Sequence, residues 1–419
     1  MILVLIDFDG VIVDTKKNSF DIFKRCLEKF QNCKNLKLIK NLYNKANGLN
    51  LLSISKLLGN YYKTDYVKFY EFFISEWDKV YKEISVKNEI LEFFDFINNL
   101  DAKIVIFSSS NFKIINKILK TKLKKFDFVK KEFDKKFKLS KKTINKLKNF
   151  KKTSENFINI DDNALINKQM FQLDFIPIHY EINKNKKNLT EIFIKVLFHN
   201  KINFFYNIYN LKFINLRKIN FKVSKNISNL SVKNFKKYIK KGYFNGKLSY
   251  LYNINFKNRK LNINSFKNYY SLRLLKKHIS LAVQAYILID LYNYIIGKRK
   301  SVITEKKLFE FVPSGGLINF SNNDLYLQIK SECLEELNLK INYKNITLVG
   351  FYLDFNQNLL DFVFKINLKN STLLRNKLAK SEEHSKFLIK ERSFRHKNPK
   401  GSFSYHNFIV FYKYSYGLK

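Results

Sequence analysis

Proline is nearly missing from this chain of 419 residues, with 3 in all, and glycine (11), cysteine (3), methionine (2) and tryptophan (1) are sparse as well. With so little proline and 46% hydrophobic residues, the chain is too apolar to be disordered and long enough for two or three domains. The cysteines, Cys26, Cys33 and Cys333, have no C-x-x-C spacing and are too few for a disulfide framework, which fits a reducing compartment. Long hydrophobic runs are lacking too. The longest, Ile279 to Ile296, is broken by Gln284, Asp290 and Asn293, which argues against a membrane span. The opening run Ile2–Ile6 is short, has no basic leader and meets Asp7 directly, so it reads as a buried strand and not as a signal peptide. A cytoplasmic protein with no membrane partner is the expectation.

Arginine is also scarce, confined to a few sites such as Arg25, Arg217, Arg259 and Arg273. The formal net charge is nevertheless +43, from 78 Lys+Arg against 35 Asp+Glu, and such a field attracts polyanions without specific contacts. A protein selected to grip phosphates would use the bidentate guanidinium fork more freely. Abundant Lys, Asn, Ile, Phe and Tyr is what an AT-rich genome writes into any protein, and the basic residues form no polybasic block. Nucleic acid is therefore not the expected partner.

Up to about residue 199, short apolar runs alternate with helical patterns, the signature of a parallel α/β sheet. Candidate strands are Ile2–Ile6, Lys103–Phe107, Asn156–Ile160 and Asp174–Ile178, and a mostly helical insertion over about 16–100 separates the first two. Residues 200–275 are aromatic and β-branched without a clear helical period and read as a connector of β or mixed structure. From residue 276 to 419 strands return around one helix at about Asn323–Leu337, which suggests a separate α+β domain with a mixed sheet.

Two constellations carry chemistry. After the first strand come Asp7-Phe8-Asp9-Gly10, two carboxylates one residue apart at the strand end where open α/β sheets bind ligands. Residues i and i+2 of an extended segment face the same way, so Asp7 and Asp9 can converge, and Gly10 lets the chain turn. A second strand ends in Ser108-Ser109-Ser110-Asn111 and a later one in Asp161-Asp162-Asn163. Taken in order, these motifs resemble the haloacid dehalogenase-like hydrolases over about residues 1–200. The resemblance implies a Rossmann-like parallel sheet with a helical cap, Asp7 as nucleophile and Asp9 as general acid and base. It further implies Ser108 on the phosphoryl oxygens and Mg2+ held by Asp7, the Asp9 carbonyl, Asp161 and Asp162. The lysine that such a site uses is expected at Lys141 or Lys142, at the start of a helix over Lys141–Asn149.

The second constellation begins at Ser314-Gly315-Gly316 and continues in a helix bearing Glu332, Glu335 and Glu336. These stand at i, i+3 and i+4 on one face, beside an apolar stripe of Tyr326, Ile329, Cys333 and Leu337. Three carboxylates so close repel one another, and a divalent cation is the simplest compensation. The arrangement resembles the Nudix hydrolases over about residues 276–419. That implies a mixed-sheet fold, Mg2+ or Mn2+ on Glu332, Glu335 and Glu336, and hydrolysis of a nucleoside diphosphate-linked substrate, with Glu332 and Glu335 in catalysis. Ser331 stands where that family has Arg, the glutamate of its polar loop is absent, and Asn338 replaces the closing Gly. Glu382 and Glu383 could supply a further carboxylate or simply cap a helix. His278, His384, His396 and His406 show no metal-ligand spacing.

The expected protein is a bifunctional Mg2+-dependent phosphohydrolase acting on a small phosphorylated metabolite and a nucleoside diphosphate-linked compound, in nucleotide or nucleotide-sugar metabolism. The alternative keeps only the first domain catalytic, with the second binding a nucleotide or RNA without hydrolysis.

Overall fold

The computed structural model describes the chain except for residues 47–50, 135–137, 183, 186, 209–213, 240–244, 290–292, 300–308, 369–383 and 392–419. Glu382, Glu383, His396 and His406 therefore lie outside the described residues. The chain divides into two compact units, Met1–Lys195 and Val196–Lys419. Among the described residues no helix is long and apolar enough to cross a membrane.

In the first unit β1 (Ile2–Ile6) is buried along its whole length, as a parallel strand covered on both faces requires. The chain then forms α1 (Lys16–Gln31), α2 (Leu36–Ala46), α3 (Leu51–Tyr62) and α4 (Tyr66–Glu83), and returns through α5 (Asn88–Ile97) to β2 (Ala102–Ser108). There follow α6 (Phe112–Leu119), β3 (Asp127–Lys130), α7 (Lys141–Lys151), β4 (Asn156–Asp161), α8 (Ala164–Phe171) and β5 (Ile176–His179). Helix α9 (Leu189–His199) crosses the boundary between the units. The strands lie in the order β3-β2-β1-β4-β5 with every pairing parallel. Successive strands are laid first to one side of β1 and then to the other, which opens a crevice at its carboxyl end. Leu3, Leu5, Val105, Phe107 and Val129 pack against Leu147, Ile166 and Met170 of α7 and α8.

Helices α1 to α4 share a core of their own, including Phe23, Leu27, Leu42, Leu58, Phe69 and Phe73. Helix α5 turns elsewhere: its Phe93 and Phe96 meet Phe193 of α9, with ring centroids 5.5 and 6.4 Å apart. The cap-like insertion therefore ends at Glu83 and not near residue 100. Helical periodicity continues through α5, so the pattern alone does not reveal the change of packing partner.

Among its described residues the second unit is built on an 11-stranded sheet. Its elements are β6 (Phe204–Asn207), β7 (Ile214–Lys218), α10 (Lys225–Ile239), β8 (Lys247–Lys257), β9 (Lys260–Tyr269), β10 (Ser280–Leu288), β11 (Asn293–Arg299), β12 (Phe309–Phe311) and β13 (Ser314–Gly316). After these come α11 (Asn322–Leu337), β14 (Ile346–Asp354), β15 (Leu359–Asn367) and β16 (His384–Glu391). Residues 200–275 are no connector. Strand β6 pairs with β14, and β8 pairs with both β10 and β9, so these strands extend the same sheet. The core includes Tyr286, Tyr294, Phe311, Tyr352 and Val363.

Candidate active site

Four strand ends of the first unit deliver side chains to one place. At the end of β1 the Asp7 N–H donates to the Ile160 carbonyl at 2.9 Å, which ties the residue to β4. Gly10 follows at φ +82°, a conformation that L side chains rarely adopt, and a Cβ there would overlap the Asp162 carboxylate. Both the backbone and the neighbouring carboxylate thus require glycine. The turn is closed by the Gly10 N–H donating to the Val13 carbonyl at 2.8 Å.

At the end of β2 Ser108 is fully buried and its Oγ accepts from the Ser110 N–H at 3.1 Å, while Asn111 caps α6 by accepting from the Lys113 N–H at 2.9 Å. At the end of β3 stands Lys131, buried, with Nζ 2.7 Å from Asp7 Oδ2 and 2.5 Å from Asp161 Oδ2. At the end of β4 Asp161 accepts at Oδ1 from the Asn163 N–H at 2.8 Å, and Asn163 in turn caps α8. Asp162 pairs with Lys16 at 3.0 Å, and Lys16 also reaches Glu181 at 2.9 Å.

Asp9 is held differently. Its Oδ2 accepts a short hydrogen bond from Ser110 Oγ, and its Oδ1 accepts from the Tyr81 hydroxyl of α4 at 3.1 Å. Burial pushes the Asp9 carboxyl up, against the pull of the donors Ser110, Tyr81 and Thr15. Burial likewise pushes Asp7 and Asp161 up, opposed in both by the Lys131 ammonium and reinforced by neighbouring carboxylates. Lys131 is itself held protonated, because the attraction of Asp161 and Asp7 outweighs its desolvation.

Among the described residues Asp7, Asp161 and Asp162 form the group in which one oxygen from each lies within 4.8 Å of the others. All three are hard oxygen donors, the set that suits Mg2+. The Asp9 side chain is not in that group; only its carbonyl was expected there.

Asp7, Asp9, Ser108, Asp161 and Asp162 all stand at or just beyond strand ends on one edge of the sheet. Lys141 does not. It stands exposed in the first turn of α7, whose N-cap is Ser140, and the lysine at the carboxylates is Lys131. Strand β3, which delivers Lys131, went unread because it is four residues long with a single buried position. Tyr81 also went unread, since a tyrosine in an amphipathic helix carries no signal of its own.

In the second unit α11 starts at the N-cap Ser321 and ends at Asn338, whose left-handed φ of +53° is the conformation expected of the residue replacing glycine. Its buried stripe is Leu325, Ile329, Cys333 and Leu337. The three glutamates have different partners. Glu336 is buried and accepts at Oε1 from the Ser314 N–H at 3.1 Å, and Glu332 accepts from Gln328 Nε2 at 2.7 Å. Glu335 is exposed and accepts from Ser331 Oγ at 2.7 Å. Glu332, Glu335 and Glu336 do not form a three-oxygen group of the kind that Asp7, Asp161 and Asp162 do. Glu332 lies against Gly315 and Glu336 on the neighbouring Ser314, whereas Glu335 stands apart on Ser331, the position where an arginine was expected.

Residues 4–165 match the family model of the haloacid dehalogenase-like hydrolases. No curated protein matches the sequence. Among solved structures the chain is similar to a HAD hydrolase, family IA, variant 3, from Entamoeba histolytica, at 15% identity over 42% of this chain and 82% of that one, with a TM-score of 0.33. A hydrolase from Pseudomonas syringae is similar at 14% identity over 43% and 86%, with a TM-score of 0.33. A MutT/nudix family protein from Enterococcus faecalis is similar at 14% identity, with a TM-score of 0.23; the match covers 27% of this chain and 44% of that protein, less than half its length.

Proposed function

From the haloacid dehalogenase-like hydrolase domain that the N-terminal unit carries, we propose that this unit hydrolyses the phosphomonoester of a small metabolite through an aspartyl-phosphate on Asp7. The observation that supports it most directly is the convergence of Asp7, Asp161, Asp162 and Lys131, with Lys131 Nζ within 2.7 Å of two of the carboxylates. An Asp7 oxygen attacks phosphorus as the bond to the leaving oxygen breaks, and Asp9 gives that oxygen its proton. Asp9 then takes a proton from the water that attacks the aspartyl-phosphate, which restores Asp7 and releases phosphate. The Ser108 hydroxyl donates to a phosphoryl oxygen, and the Lys131 ammonium offsets charge that builds there. Mg2+ bound by Asp7, Asp161, Asp162 and the Asp9 carbonyl would offset the repulsion between phosphate and carboxylates.

For the second unit, what supports the non-hydrolytic alternative, in which it binds a nucleotide or RNA without cleaving it, is that among the described residues Glu332, Glu335 and Glu336 form no three-oxygen group, with Glu335 exposed on Ser331. The bifunctional reading needs all three carboxylates on one cation. Phosphate release from a phosphomonoester panel, and chromatography of the monophosphate products from a nucleoside diphosphate-linked panel, with Asp7→Asn and Glu335→Gln, separate the readings. Loss of monoester hydrolysis in Asp7→Asn, with no Glu335-dependent cleavage of diphosphates, is the expected outcome. Unchanged release in Asp7→Asn would sink the first assignment, and Glu335-dependent diphosphate cleavage the second.

A further inference from the structure

We infer that Tyr81, carried by the helical insertion, is a positioning residue for the acid–base carboxylate of Asp9, with Ser110 as its counterpart from the sheet. The inference rests on the phosphatase reading above and adds to it a residue and a task.

Both oxygens of Asp9 are engaged. Tyr81 donates to Oδ1 at 3.1 Å, Ser110 Oγ donates to Oδ2, and the two hydroxyls lie 3.1 Å from each other, so the three groups close a triangle. A carboxylate alone on a short side chain turns freely about its terminal torsion; two donors, one on each oxygen, fix its plane. The hydroxyl pair can also serve either state of Asp9. When the carboxyl carries its proton, the Tyr81 O–H can turn to Ser110 Oγ and leave Oδ1 to the acid proton.

The ring of Tyr81 is fixed in its turn. Trp77, one turn earlier on α4, stacks on it at 5.2 Å and 27° between planes, and Phe8, the residue between Asp7 and Asp9, lies 6.2 Å away. Tyr81 sits in the last turn of α4, just before the chain leaves the insertion for α5. A core tyrosine with an incidental hydrogen bond would not need its hydroxyl on a carboxylate reached across 72 residues of sequence from the reacting strand. Tyr81 touches no reacting atom in this scheme. It acts through Asp9, by holding the carboxyl where a leaving oxygen can take its proton.

The sharpest readout is leaving-group dependence, because help from a general acid matters most when the departing oxygen is a poor leaving group. Phenyl phosphate and p-nitrophenyl phosphate would be compared in the full-length wild type, Tyr81→Phe, Ser110→Ala, Asp9→Asn and the double variant Tyr81→Phe/Asp9→Asn, with Asp7→Asn as control. Tyr81→Phe keeps the ring and its stacking, and a thermal melt checks that it folds as wild type. The expected result is a kcat/KM on phenyl phosphate lowered about ten- to a hundredfold, a smaller loss on p-nitrophenyl phosphate, and the same pattern in Ser110→Ala. Added to Asp9→Asn, Tyr81→Phe should cost nothing further. Equal losses on both esters, or an additive loss in the Asp9→Asn background, would overturn the positioning role while leaving the phosphatase reading intact. Absence of Asp7-dependent release from either ester would instead overturn the phosphatase reading and this role with it.

Discussion

Replacing Lys131 by methionine removes one charge and little volume, and the structure fixes what is left behind. Two buried carboxylates, Asp7 and Asp161, would lose the ammonium now 2.7 and 2.5 Å from them. Removing one partner of a buried ion pair typically costs about 3–5 kcal/mol. In a unit of this size 1 kcal/mol moves Tm by about 2–4 °C, so the variant should melt about 6–20 °C lower near neutral pH. The penalty has a pH signature. Burial already holds Asp7 and Asp161 above the ordinary carboxylate range, and without Lys131 they rise further. A folded carboxyl with a raised pKa binds more protons than its unfolded counterpart, so its folded state gains as pH falls and loses as pH rises. The gap between wild type and variant should therefore widen above the carboxylate range and narrow below it. Phosphate release should drop about 10²–10³-fold, as when one donor to a developing oxyanion is removed. The comparison is Lys141→Met, an exposed site where the change should stay within about 0.5 kcal/mol. Scanning calorimetry from pH 5 to 8 on both variants, beside phosphate release, decides the matter; an equal effect of the two substitutions, or a penalty on Lys131→Met that ignores pH, would refute the assignment.

Gly10→Ala meets a left-handed backbone and the Asp162 carboxylate together, so a loss of about 2–4 kcal/mol in thermal melts is expected, with activity reduced because Asp162, proposed above to hold Mg2+, is displaced. Gly315→Ala would also overlap a carboxylate, that of Glu332, but there the obstacle is the far end of a side chain that can swing away; its cost should stay under about 1 kcal/mol, and a loss as large as that of Gly10→Ala would contradict this. In the insertion, Glu76 is held below the usual carboxylate range chiefly by Lys79 at 2.6 Å, with Arg25 at 2.5 Å. Its contribution is therefore present above the unfolded carboxyl pKa and lost as pH falls through the folded one. Because the Arg25 and Lys79 side chains are 53% and 67% exposed, Glu76→Gln should cost only about 1 kcal/mol at neutral pH and nothing in acid; a cost that persists in acid would argue against an ionic role.

The first unit was legible because its signals are local and repeated. A run of buried residues such as Ile2–Ile6 followed by Asp-x-Asp-Gly announces both a strand and what stands at its end, and the same grammar recurs at Ser108 and Asp161. The second unit was harder. Strand β9 reads Lys-Leu-Asn-Ile-Asn-Ser, with Leu261, Ile263 and Ser265 facing inward, so its period of two was present in the sequence. In β8 a register shift between Leu251 and Asn253 interrupts the alternation, and its partner strand β10 begins some twenty residues after β8 ends. A sheet assembled from such distant pieces leaves little trace in any one window of sequence, and so residues 200–275 read as a connector.

Lys131 is the instructive omission, because topology could have supplied what periodicity did not. A parallel strand cannot be followed directly by another; after β2 the chain must cross by α6 and return to the sheet before α7 begins. Only Asp127-Phe-Val-Lys lies between them with strand character, and in a parallel sheet its carboxyl end must fall on the same edge as Asp7, Ser108 and Asp161. The residue just beyond that end is Lys131. In a chain with 78 Lys+Arg, proximity in sequence to an acidic motif selects no lysine, whereas the obligation of every parallel strand to end at one edge selects this one. Burial supplies the second criterion: a lysine enclosed there must be paired, and Asp7 and Asp161 are the groups that pair it.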